Sequence, residues 1–315
     1  MSEAPHIAMG GGAEFDLIRR LLDTWGSRAT GIGDDAAVIQ VPPGEQLVAS
    51  TDASVENVHF KRGWMTPREI GARAATAALS DLAAMGARPL GLLLALGLPE
   101  SWQADAEGVA DGVGATASAV ACPIVGGNVT RSSELTLTVT VLGGAVRPLS
   151  RAGARTGDII FVTGRLGGPG AALAALLEDR EPEATARARF IAPTARIAEG
   201  RWLAEHGATA LIDISDGLFA DAGHLANASG VSLSLDVDSV PRLAGNDAHT
   251  ALTSGEEYEL LVSVPNDVAL DTATFERSFG IPLTRIGIVV DRRDVAVLGG
   301  GGAALAVGHD HLADQ

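Results

Sequence analysis

Residues 66–86 constrain the fold more than any other stretch. Thr66 stands at an N-cap position, Pro67 at the first helical position and Glu69 at the third, and Gly86 lies where a left-handed C-cap belongs, so the spacing predicts a helix over 67–85. Across residues 74–87 the one charged residue is Asp81, and Ile70, Ala74 and Ala77 precede it on one helical face. A carboxylate in such apolar surroundings is costly unless something compensates it. Asp81 also falls in the last turns of the helix, where the negative end of the dipole disfavours an anion. A bound cation is the sharper reading, and an ion pair with Arg73 or Arg88 the plainer one.

Periodicity around this helix alternates between two classes. Phe15, Ile18, Leu21 and Leu22 predict a helix over 14–25, and two brief apolar runs, 36–41 and 46–51, read as strands separated by Pro42-Pro43-Gly44. Residues 90–98 read as a buried strand, 103–120 as an alanine-rich helix, and 135–141 alternates apolar residues with threonine as a half-covered strand does. Residues 143–157 carry Pro148 and three arginines, Arg147, Arg151 and Arg155, with little apolar periodicity, which places a domain junction near 148. The second half reads as strand 158–163, a glycine turn, helix to about 179, helix 194–205, strand 209–213, helix 217–228, strands 231–237 and 257–264, helix 267–279 and strand 283–290. The expected fold is a mixed α/β chain of two domains, 1–147 and 148–315.

Charge narrows the partners. The 315 residues hold 39 Asp plus Glu against 23 Lys plus Arg, a formal charge of -16, which argues against nucleic acid or an anionic membrane surface. A phosphate-bearing ligand would need metal ions. The single cysteine, Cys122, cannot form an intramolecular disulfide, and no export signal or membrane-spanning run is read, so a cytoplasmic protein is expected.

Five places concentrate the chemistry. Asp34-Asp35 follows Gly31-Ile32-Gly33 and is either turn chemistry or half of a cation site. Ser50-Thr51-Asp52 offers three hard oxygens at an expected strand end, with a strand-end cap as the plainer alternative. Asp81 is the third, and Gly126-Gly127-Asn128 is the fourth, which is also an everyday turn. Asp213-Ile214-Ser215-Asp216-Gly217 joins a strand to a helix; Ser215 or Asp216 could cap that helix, but a cap needs one acid and there are two. The turn Gly164-Arg165-Leu166-Gly167-Gly168-Pro169-Gly170 matches neither GxxxxGK[ST] nor GxGxxG, and the one lysine, Lys61, lies outside it, which excludes a P-loop kinase. His59 follows the Asp52 segment closely and is either structural or turned to the same cleft.

In combination, GIGDDAAV, STDASVENVHF, ALSDLAAMGA, GGNVTR, LSRAGARTGD, IDISDGL and SGEEYELL resemble the thiamine-monophosphate kinase family, within the wider group of aminoimidazole ribonucleotide (AIR) synthetase-like proteins. The resemblance covers nearly the whole chain. It implies an N-terminal domain whose strands form a barrel across a homodimer, a C-terminal α/β domain, several magnesium ions, and transfer of a phosphoryl group from ATP to thiamine monophosphate. Carried onto this sequence, it implies magnesium on Asp35, Ser50, Thr51, Asp52, Asp81, Asn128, Asp213 and Asp216. Gly127, Asn128, Arg151 and Ser215 would contact ATP, and His59, Glu256 and His309 the thiamine phosphate. Asn128 stands where many relatives carry a metal-binding Asp, Glu257 replaces the Asp of GEDYE, and the glycine turn lacks the common Asp-Ser. The alternatives are another AIR synthetase-like ATP-dependent enzyme, or a protein that binds the nucleotide or thiamine phosphate without turnover.

Overall fold

The structure is a computed structural model that describes residues 10–299. Its contacts divide the chain into two units. One takes the described residues up to Leu82 together with Ala87–Val146, and the other takes Ala83–Gly86 and the described residues from Arg147 onward.

The first unit contains α1 (Ala13–Trp25), β1 (Gln46–Val55), α2 (Pro67–Ala84) as far as Leu82, β2 (Arg88–Leu98), α3 (Ala106–Ala119), β3 (Ile124–Arg131) and β4 (Thr136–Ala145). The four strands form one sheet in the order β1-β4-β2-β3. The pairs β1/β4 and β4/β2 are antiparallel, whereas β2/β3 is parallel and takes its crossover from α3. Along β2, Leu92, Leu94, Leu96 and Leu98 alternate into the core, as Leu137, Val139 and Val141 do along β4. From α2, Ala74, Ala75, Ala78, Leu79 and Leu82 are buried, so the apolar run is an interior helix. Gly71 and Gly112 let α2 and α3 approach closely, because a Cβ at Gly71 would lie 2.0 Å from the Val109 carbonyl oxygen.

One expected strand and one of two alternative readings fail in this unit. Residues 36–41 form no strand: Val38 is 87% exposed, and the segment runs into Pro42-Pro43, which have no N–H to give a ladder. Gly126-Gly127-Asn128 is not a turn but the middle of β3, with Gly127 opposite Leu94 and Asn128 opposite Ala95. A Cβ at Gly127 would meet the Leu94 carbonyl oxygen at 2.0 Å, so glycine serves close strand approach there.

The second unit contains β5 (Ile159–Thr163), α4 (Gly168–Leu177), α5 (Ala184–Ile191), α6 (Ile197–Glu205), β6 (Ala210–Asp213), α7 (Leu218–Ser229), β7 (Ser232–Leu235), α8 (Ala248–Thr253), β8 (Leu260–Val264), α9 (Thr272–Phe279), β9 (Leu283–Val290) and β10 (Val297–Leu298). Its sheet has the order β10-β7-β9-β5-β8-β6, antiparallel except for β10/β7. Ile160, Val162, Ile212, Leu233, Leu261, Ile286 and Val289 from the strands meet Leu218, Phe219, Ala222 and Leu225 from α7 in one core. The helix expected over 267–279 begins later, at Thr272, where the Asp271 carboxylate caps the Thr274 N–H at 2.9 Å.

Candidate functional site

Strand β1 runs to Val55, so Asp52 lies within the strand rather than at its end. Alternation then puts Ser50 and Asp52 on one face and Thr51 on the other. The Thr51 hydroxyl meets that of Thr140 at 3.0 Å across the ladder, so the three hard oxygens expected of this tripeptide do not share a face. The Ser50 hydroxyl donates to the Asp81 carboxylate from α2, a pairing across 31 positions of sequence. Of the two arginines weighed as partners for Asp81, Arg88 is engaged by Glu45, its Nε 3.0 and 3.1 Å from the two carboxylate oxygens.

The remaining candidates of this unit are placed differently. Asp34 accepts the Asp35 N–H at 2.9 Å, the turn chemistry that the glycine-rich approach allows, while the Asp35 side chain is exposed. His59 Nδ1 accepts the Val55 N–H at 3.1 Å, which closes the turn after β1 and leaves the ring proton of the neutral form on Nε2. Asn128 is exposed on β3, at the edge of its sheet.

In the second unit, β6 ends at Asp213 and α7 begins at Leu218, and the chain between them is tightly held. Asp213 is buried and Asp216 half-buried. Neither Ser215 nor Asp216 caps α7; the N-cap is Gly217, which has no side chain to offer. A residue not singled out from the sequence does the binding. Asp221, in the first turn of α7, accepts the backbone N–H groups of Ser215 and Asp216, each at 3.0 Å. Burial, then the charges of Asp213 and Asp216, push the Asp221 carboxyl up to about 7 against the pull of these hydrogen bonds. Ligand atoms of Asp216, Asp221 and the exposed His224 lie within 4.8 Å of one another. The cue to Asp221 in sequence was an acid five residues beyond Asp216, on the first turn of the same helix.

Glu256 joins this loop through its backbone, its N–H donating to the Ser215 carbonyl at 2.7 Å. Glu256 and Tyr258 both adopt left-handed backbone, with φ of 58° and 51°, a costly conformation for residues with side chains. The glycine turn before α4 is filled from within the protein. Glu257 accepts the Gly167 N–H at 2.5 Å and the Ser254 hydroxyl accepts that of Gly170 at 2.9 Å, so these two amides are not available to a phosphate. Arg151 is exposed, and His309 lies outside the described residues.

The oxygen donors are a hydroxyl beside a carboxylate in the first unit, Ser50 with Asp81, and in the second unit the carboxylates of Asp213 and Asp216 around the buried Asp221, whose Oδ2 faces the loop amides. Such sets fit a divalent cation of the magnesium type. The profile of the AIR synthase related protein N-terminal domain matches residues 33–145, and that of the C-terminal domain matches residues 155–300. The thiamine-monophosphate kinase of Salmonella typhimurium is 39% identical over 295 residues, covering 87% of this chain and 89% of that protein.

The chain belongs to the thiamine-monophosphate kinase family.

The family member from Bacillus subtilis is 32% identical over 90% of this chain and 94% of its own length. Among solved members, the thiamine-monophosphate kinase of Stenotrophomonas maltophilia K279a superposes with a TM-score of 0.82 at 36% identity, covering 96% of this chain and all of that one. AaThiL complexed with AMPPCP and TMP superposes with a TM-score of 0.76 at 32% identity, covering 93% and 94%. Like these kinases, the chain has a mixed α/β fold in two parts.

Proposed function

We propose that this chain phosphorylates thiamine monophosphate with ATP, giving thiamine diphosphate and ADP. A phosphate oxygen of the acceptor forms a bond to the γ-phosphorus while the bond from that phosphorus to the bridging oxygen of ADP breaks. The attacking oxygen is already anionic, so the protein needs no general base and contributes alignment and neutralisation of charge. The observation that carries this reading is the convergence of the Asp213 and Asp216 carboxylates at one strand-to-helix loop, in a member of a kinase family.

Asp35, Ser50, Asp52, Asp81, Asn128, Asp213 and Asp216 would hold magnesium; Thr51 drops out as a side-chain ligand because its hydroxyl faces Thr140. Bound magnesium supplies the positive charge that a chain of net -16 needs to hold a triphosphate. Gly127, Asn128, Arg151 and Ser215 are assigned to ATP, and His59 and Glu256 to the thiamine phosphate. A homodimer is supported by β1, which lies at the end of its sheet's strand order with Leu47 54% exposed. A reducing, cytoplasmic setting is supported by the single cysteine, Cys122. Among the described residues no helix is long and apolar enough to cross a membrane.

The test is formation of ADP and thiamine diphosphate from ATP and thiamine monophosphate, with magnesium and then with EDTA. Both products are expected with magnesium and neither with EDTA. Absence of both products from folded protein that ATP and magnesium stabilise against heat would refute the assigned reaction.

A further inference from the structure

The loop that carries Asp213, Ser215 and Asp216 is shaped from two sides. On one side the entry to β8 holds it. The Ile214 carbonyl accepts from the Tyr258 N–H at 2.9 Å and the Ser215 carbonyl from the Glu256 N–H at 2.7 Å, while the Ile214 N–H donates to the Glu259 carbonyl at 2.8 Å. On the other side Asp221 holds both amides. Its Oδ2 takes the N–H groups of Ser215 and Asp216 together, each at 3.0 Å, from a side chain on a residue that is 2% exposed. The next residue, Gly217, has φ of 107° and a backbone packed against Thr253, so the chain turns there in a conformation that glycine permits and a bulkier residue resists.

We propose that Asp221 is a positioning residue for phosphoryl transfer, fixing the Ser215–Asp216 peptide so that the two side chains are presented in one arrangement to the nucleotide and its cation. The inference rests on the kinase reading. Its content is that Asp221 acts through one oxygen acceptor at a fixed reach, not as a cation ligand. An oxygen shared by two N–H donors is occupied on the side facing the loop, and α7 anchors it through the Asp221 N–H to the Gly217 carbonyl at 3.0 Å. Outer residues that orient ligands typically govern about 10- to 100-fold in metal affinity or activity.

Two substitutions separate acceptor from charge. Asp221→Asn keeps a carbonyl oxygen at the same reach and removes the charge, whereas Asp221→Glu keeps the charge and displaces the oxygen by one methylene. Each full-length variant is titrated with Mn2+ alone by electron paramagnetic resonance, then assayed for ADP formation across magnesium concentrations. Thermal melting confirms that both are folded. Positioning predicts that Asp221→Asn keeps Mn2+ affinity and kcat within about threefold of the unsubstituted protein, while Asp221→Glu loses about tenfold or more in both. The reverse order would make Asp221 a ligand and overturn the inference, as would two variants that both match the unsubstituted protein or both fall equally. Failure of the kinase reading is separate: the unsubstituted protein would then make no ADP with thiamine monophosphate, whatever the order of Mn2+ affinities.

Discussion

Replacing Glu257 with Gln should change how stability depends on pH. Burial pushes the Glu257 carboxyl up from 4.5 to about 7, with the neighbouring Glu259 adding to it and the hydrogen bonds from Ser254 and the Gly167 N–H opposing it. An acid whose pKa is raised on folding binds its proton more tightly in the native state. Its cost to stability is therefore absent below pH 4.5, grows as pH rises from 4.5 to about 7, and is constant above that. At about 1.4 kcal/mol per pH unit, the full penalty is roughly 3 kcal/mol, of which about 2 to 3 develops between pH 5 and 8. Glutamine keeps an oxygen to accept from Gly167 and carries no charge to desolvate. Urea unfolding followed by the fluorescence of Trp202, on α6 of the same unit, should show Glu257→Gln gaining on the unsubstituted protein by about that amount as pH rises from 5 to 8. Parallel stability curves over this range would refute the argument, because they would mean that the carboxyl titrates alike in the folded and unfolded chains.

Asp52→Ala and Asp81→Ala should each lower turnover by more than about 100-fold while moving the melting temperature by only a few degrees, and near-normal activity with magnesium in either variant would remove these residues from the cation site. Glu259→Ala should destabilise the second unit by about 3–5 kcal/mol in the same urea assay. Glu259 is 1% exposed and accepts from Arg196 Nε at 2.9 Å and Nη2 at 2.6 Å, so its loss strips a buried guanidinium of its main partner.

Where the cause of a structure is local, the sequence shows it. The cap, first-turn proline and closing glycine around α2 are read within one helix, and the structure ends that helix at Ala84, one residue from the expected end. Strand β9 is likewise found at 283–290, where its periodicity places it. Residues 36–41 show the limit of such reading, since a strand exists only with a neighbour to complete its ladder, and apolar composition cannot supply one.

The site divides along the same line. Sequence alone determines which residue types are present and in what order: the acids beside glycines, the Asp213–Gly217 motif and the family whose motifs they follow. Tertiary structure decides what each does. It turns Thr51 away from Ser50 and Asp52, builds Gly127 into a strand, sets Glu257 against the Gly167 amide 90 positions away, and makes Asp221 the partner of the Ser215–Asp216 amides. The reason is range. Periodicity and capping act over a few residues, whereas the partner of a buried carboxylate is whichever donor the packed chain brings within about 3 Å.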